Sequence, residues 1–131
     1  MSEYTVFDVA FPPEARKRVI VNTDAKNEAD DQYAIVHAVL TPSFELHGII
    51  PAHYGTRKTL VSLQESHDET IKLLRLMDLE GDVRVEDGAP RAIPDESTPV
   101  DSPGARLIIA EAMRQDERPL YVAFYGPLTD M

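Results

Sequence analysis

The run VIVNTDAKNEADDQYAIV, residues 19–36, decides the reading of this chain. Its first part, Arg18 to Thr23, is rich in β-branched residues and reads as a short strand. Its second part reads as a helix from Ala29 to Leu40, stopped by Pro42. Between them lies a turn that carries Asp24, Glu28, Asp30 and Asp31. A helix start explains some of that charge, because carboxylates in a first turn gain about 0.3–1 kcal/mol each from the helix dipole. Asp30 as N-cap and Asp31 in the first turn need nothing more. Asp24 and Glu28 do, because like charges packed together repel by about 1 kcal/mol per pair even at water's dielectric. Asp24 also ends a buried strand, where desolvation adds to the cost. A hard divalent cation offsets both terms. Ca²⁺ takes roughly six to eight oxygen ligands, typically carboxylates and carbonyls. With no cysteine in the chain and few histidines nearby, zinc fits less well. The turn is therefore expected to hold Ca²⁺.

Outward from this turn the pattern repeats. Phe44 to Ile50 reads as a second strand and Thr56 to Leu79 as a long helix with apolar residues at Leu60, Leu63, Ile71, Leu74 and Met77. Val83 to Glu86 reads as a third strand, and the proline-rich stretch from Asp87 to Asp101 as a loop. Ser102-Pro103 has the form of an N-cap followed by proline at the first helical position, opening a helix to about Gln115. Leu120 to Tyr125 is a fourth strand. Alternating strands and helices imply an α/β fold, a parallel Rossmann-like sheet with helices on both faces. Ligands bind such sheets beyond the carboxyl ends of the strands. The loops at Asp24–Asp31, Ala52–Gly55, Asp87–Pro90 and Gly126–Asp130 are thus expected to share one rim. Residues 1–17, broken by Pro12-Pro13, read as an arm before a domain of residues 18–131.

Composition bounds the alternatives. Apolar content of 43% over 131 residues supports a packed core. The formal charge of −10 argues against nucleic acid or anionic membrane as a partner; it suits a cation, and equally well a charge that only keeps the protein in solution. No apolar run approaches membrane-spanning length, no secretion signal is present at the start, and the lack of cysteine fits a cytoplasmic protein.

These residues resemble a known family. VNTDAKNEADDQYAIVHAVL is similar to the amino-terminal signature of the inosine–uridine-preferring nucleoside hydrolase superfamily, in which a strand runs into a D-x-D-x-x-x-D-D turn. Its longer turn is closer to a divergent, nucleoside hydrolase-like branch with an N-E-P-D-D-Q type motif. VAFYGPLTDM resembles the family's strand followed by G-P-L-T-N, and VEDGAPRAI is weakly similar to its G-A-x-x-P-L segment. The resemblance implies the amino-terminal half of a nucleoside hydrolase-like fold, a bound Ca²⁺ and hydrolysis of the N-glycosidic bond of ribonucleosides. By position, Asp24 resembles the aspartate that ligates calcium and activates water. Asp30 resembles a ribose ligand, Asp31 a calcium-ligating carboxylate, and Thr129 the threonine whose carbonyl ligates calcium. Departures are Asn22 in place of a first aspartate, a turn longer by two residues, Asp130 in place of asparagine, and Ala52-His53-Tyr54-Gly55 where the family tends to have a glycine–asparagine step. The family's later ligands lie beyond Met131, so the expected site is incomplete in this chain and the domain reads as truncated.

Other residues carry weaker expectations. Glu28, His53 and Tyr54 lie on the rim and are candidates to contact the sugar or base of a nucleoside or other ribose-containing substrate. His67 reads as a helix-face histidine, and Arg57 and Lys58 as solvated. LYVAFY is apolar on both faces, as a central strand would be, so further cover is expected from more chain or a second copy, making a homo-oligomer the expected state. Two other functions stay open. A phospho-receiver domain would use the acidic pair, Asp87 and Thr129, although it also needs a lysine after a fifth strand. A non-catalytic sugar-binding relative would use the same rim without turnover.

Overall fold

The computed structural model describes residues 10–131, so most of the expected amino-terminal arm lies outside the described residues. A single 3-10 turn at Pro13–Ala15 leads into β1 (Lys17–Thr23). There follow α1 (Asp30–Leu40), β2 (Phe44–Pro51), α2 (Ser62–Leu76), α3 (Pro103–Ala112) and β3 (Leu120–Phe124). The strands form one parallel sheet in the order β2-β1-β3. The chain is thus α/β with a Rossmann-like sheet.

Strand β1 is central and buried from Arg18 to Thr23, as a strand covered on both faces must be. Side chains alternate along it. Val19 and Val21 face α1 and α2, in a core with Ile35, Ala38, Ile49 and Leu74. Ile20 faces α3, in a smaller core with Ile50 and Leu107. Burying each such side chain contributes about 1.5–3 kcal/mol, so β1 is the element on which both cores depend.

Strand β2 contains one extra residue. Val19 pairs with Leu46 but Ile20 pairs with Gly48, so His47 is bulged out of the register. Before the bulge Phe44 and Leu46 pack towards α1 and α2; after it Ile49 does so and Ile50 faces α3.

Three expected elements differ. The third strand is reduced to a bridge from Val85 to Ile49, although hydrogen bonds from the Ile49 amide to the Arg84 carbonyl (2.9 Å) and from the Gly88 amide to the Pro51 carbonyl (2.9 Å) continue the ladder. The long helix begins at Ser62 instead of Thr56, and Leu60 is 87% exposed. The Leu60-Val61 pair follows a threonine whose hydroxyl accepts the Val61 amide (3.3 Å), a local bond that competes with helix. At its other end the helix closes before Leu79. Asp78 adopts φ 58°, the Asp78 amide bonds the Arg75 carbonyl, and the Leu79 amide bonds that of Leu74 (2.8 Å). This is a Schellman closure with aspartate in the left-handed position usually held by glycine. Helix α3 ends at Ala112, short of Gln115, but its start is as expected: Ser102 Oγ accepts the Ala105 amide (2.9 Å) and Pro103 follows.

At the amino ends of the strands a charged cluster joins distant segments. Arg18, 2% exposed, donates to the Glu111 carbonyl (2.5 Å) and carboxylate (3.2 Å) and to the Arg118 carbonyl (3.2 Å). Arg118 grips Asp116 through two bonds (2.7 and 3.0 Å), Glu45 (2.7 Å) and the Pro13 carbonyl (2.8 Å). Among the described residues no helix is long and apolar enough to cross a membrane.

Candidate functional site

Counting the Val85 segment, the strands lie in chain order third, second, first, fourth. In doubly wound sheets of this order the crevice opens where the order reverses, here between the carboxyl ends of β1 and β3. Asp24 sits at that point. Its carboxylate lies against Gly126, just after β3, where a Cβ would come within 2.7 Å of Asp24 Cγ. Only glycine lets the two segments approach so closely.

Asp24 and Asp31 are both buried, at 8% and 6% exposure. Asn27 Nδ2 donates to Asp24 Oδ2 (3.1 Å), closing the turn, and the Thr23 hydroxyl donates to Asp31 Oδ2 (2.6 Å). Burial pushes the Asp31 carboxyl above its ordinary range; the Thr23 bond opposes the shift and neighbouring Asp24 reinforces it. Among the described residues neither carboxylate has an ion-pair partner. One cation stands a single step removed: Lys58, expected to be merely solvated, donates to Asn27 Oδ1 (2.7 Å).

The structure places the other candidates unevenly. Asp30 and Glu28 are exposed, Asp30 in the first turn of α1, whose cap position is Ala29 and not Asp30. His53 is buried with both ring nitrogens engaged. Nδ1 accepts the Gly55 amide (3.1 Å), so Nε2 carries the proton and donates to Thr129 Oγ1 (2.9 Å). Burial pushes its pKa down, and the charge of Asp130 only partly opposes this. Tyr54 hydrogen-bonds Glu65 of α2; burial and then that bond push its hydroxyl up to about 12. Asp87 turns to α2, where His67 Nδ1 lies 2.6 Å from its carboxylate.

Two residues at the rim were given no role by sequence reasoning. Tyr125 follows β3 directly; burial and then the charge of Asp31 push its hydroxyl upward. Asp130 is the other. Buried at 4% exposure, it accepts from the Ala89 amide (2.8 Å), the Ser102 hydroxyl (2.6 Å) and Asn22 Nδ2 (3.1 Å). It thereby ties β1, the Gly88-Ala89 turn and the α3 cap to the segment after β3. Asn22 and Asp130 are thus bonded to each other across 108 positions. Thr129 and Asp130 also form part of the wall of an open hollow of about 790 Å³ beside α3.

The fit of a divalent cation rests on donor chemistry. Asp24 and Asp31 offer hard oxygen atoms at a buried strand end, and Asn22 Oδ1, fully buried, has no hydrogen-bond partner among the described residues. Among the described residues no group of three or more histidine or carboxylate side chains converges, so neutral oxygens would have to complete such a site. Comparison of this chain with family models, curated proteins and solved structures returns no match.

Proposed function

We propose that this rim serves hydrolysis of the N-glycosidic bond of ribonucleosides, with Ca²⁺ bound at the acidic turn. The observation that carries the reading is the buried Asp24–Asp31 pair at the reversal point of the sheet, with no ion-pair partner among the described residues. Asp24 and Asp31 would hold the cation, and the Thr129 carbonyl is the third expected ligand. Bound there, a cation lowers the pKa of water and orients sugar hydroxyls. Asp24 accepts the proton of the attacking water. The water oxygen bonds to the anomeric carbon as the carbon–nitrogen bond breaks, and the base departs with the electron pair and takes up a proton. The carboxylates stabilise the positive charge that develops on the sugar. Asp30 and Glu28, exposed beside the turn, are placed to meet sugar hydroxyls. Tyr54 lies within the field of Asp24 and Tyr125 within that of Asp31.

Calorimetric Ca²⁺ titration beside Asp31→Asn, followed by a ribose-release assay over a nucleoside panel, tests the reading. Saturable binding abolished by the substitution, together with ribose release, is expected. Absence of both overturns it. One observation favours sugar binding without turnover: His53, the histidine on this rim, has both nitrogens committed and is not free to protonate a leaving base. Ribose binding with no release from any nucleoside would select that reading. The receiver alternative lacks such support. Receiver-like order sets the third strand beside the first, whereas here β2 lies between them and Asp87 faces His67.

A further inference from the structure

We infer that Asn22 is an additional ligand of the bound cation, and that Asp130 is the positioning residue that turns its amide oxygen towards it. The inference rests on the cation reading above and extends it to two residues that reading does not use.

The orientation follows from donor counting. A carboxylate engaged by three donors has no proton to give, so the Asn22 atom 3.1 Å from Asp130 Oδ2 must be the amide nitrogen. The amide oxygen then points the other way. It is fully buried, at the carboxyl end of β1, two residues before Asp24, and it has no partner among the described residues. Leaving a buried acceptor unpaired is costly, and such atoms in native folds answer to a water or an ion. Charge favours the ion. Asp24, Asp31 and Asp130 are all buried in this part of the fold, and among the described residues none has an ion-pair partner. Water would satisfy the oxygen but would not offset the carboxylates. With two carboxylates in place of three, a calcium site also needs neutral oxygens, and asparagine carbonyls are common among them.

Asp130 is built to hold this arrangement. Its Oδ1 takes both the Ala89 amide and the Ser102 hydroxyl, leaving Oδ2 for Asn22. A Cβ on Gly88 would stand 2.4 Å from that Oδ2, so the turn is shaped around the carboxylate.

Exchanging the pair tests the idea. In Asp130→Asn, Oδ1 must keep its two donors, so the new amide nitrogen faces Asn22. Asn22 then turns over and presents NH₂ where its oxygen was. Adding Asn22→Asp restores an oxygen on both sides. Ca²⁺ affinity by calorimetry should fall about tenfold or more in the single Asp130→Asn variant, as for other residues that orient a ligand. It should return to about wild type in the double exchange, with thermal midpoints of the three proteins close. A merely structural Asp130 would shift the midpoint and leave the affinity of the folded protein unchanged, which would overturn the inference. If the wild-type chain takes no Ca²⁺, ligation by Asn22 falls together with the cation reading. The orientation is then judged alone, by slow exchange of the Asn22 side-chain NH₂ protons in NMR. Protection lost in Asp130→Asn supports the clamp, and fast exchange in the wild type refutes it.

Discussion

At the amino end of the sheet every carboxylate of the cluster has a guanidinium beside it: Glu45 and Asp116 meet Arg118, and Glu111 meets Arg18 and Arg114. At the carboxyl end Asp24 and Asp31 are at least as deeply buried, but their side-chain partners are Asn27, Thr23 and each other, with no guanidinium among the described residues. The same residue type thus has opposite physics at the two poles. Burial raises the pKa of Glu45 and Glu111, but the arginine bonds prevail and both end below their ordinary value. The Arg118 bond carries Asp116 well below its own. Asp31 goes the other way. One pole is a finished ion network that fastens the fold; at the other, among the described residues, the buried carboxylates have no ion-pair partner.

The largest test of this contrast is Arg18→Met. Removing a buried guanidinium leaves Glu111 without one of its partners, and breaking such a pair costs about 3–5 kcal/mol. Urea unfolding should show that loss; a change under about 1 kcal/mol would mean the basal network adds little. Acid offers a second test. The basal carboxylates have folded pKa values below 4.5 for the glutamates and 3.8 for Asp116. Their stabilisation is therefore fully present above those values and disappears as pH falls through the lowered ones. Thermal midpoints should drop steeply below about pH 4, and less so in Arg118→Met. The smallest effect is the reverse in sign. Because the folded pKa of Asp31 is raised, the cation-free chain loses stability as pH rises past 3.8 and through that raised value. Asp31→Asn should then raise the midpoint in chelator at pH 7 while removing Ca²⁺ binding. A lowered midpoint would place Asp31 with the fastening carboxylates and dissolve the contrast.

Local features were legible in the sequence. The β-branched run of β1, the Pro42 stop and the Ser102-Pro103 start act within a few residues, and each stands as read. So was the consequence of a parallel sheet, that the loops after its strands share one rim. The basal network was not legible. Arg18 meets Glu111 and Arg118 across 93 and 100 positions, and no spacing rule encodes such a meeting. Asp130 was hidden for the same reason, since its three donors come from three separate segments. Leu60 misled because its spacing to Leu63 imitates a helix face while the backbone before Ser62 does not follow.

The bulge at His47 has a consequence of phase. Up to Leu46 the even-numbered side chains of β2 face α1 and α2; beyond Gly48 the odd-numbered ones do. Deleting His47 would close the bulge and leave a strand that alternates without interruption, with Ile49 still facing α1 and α2 and Ile50 still facing α3. The parity of the rim therefore survives loss of the bulged residue but not loss of a paired one, and deletion of His47 should be far better tolerated than deletion of Ile49, which would bring Ile50 round to the α1 and α2 side.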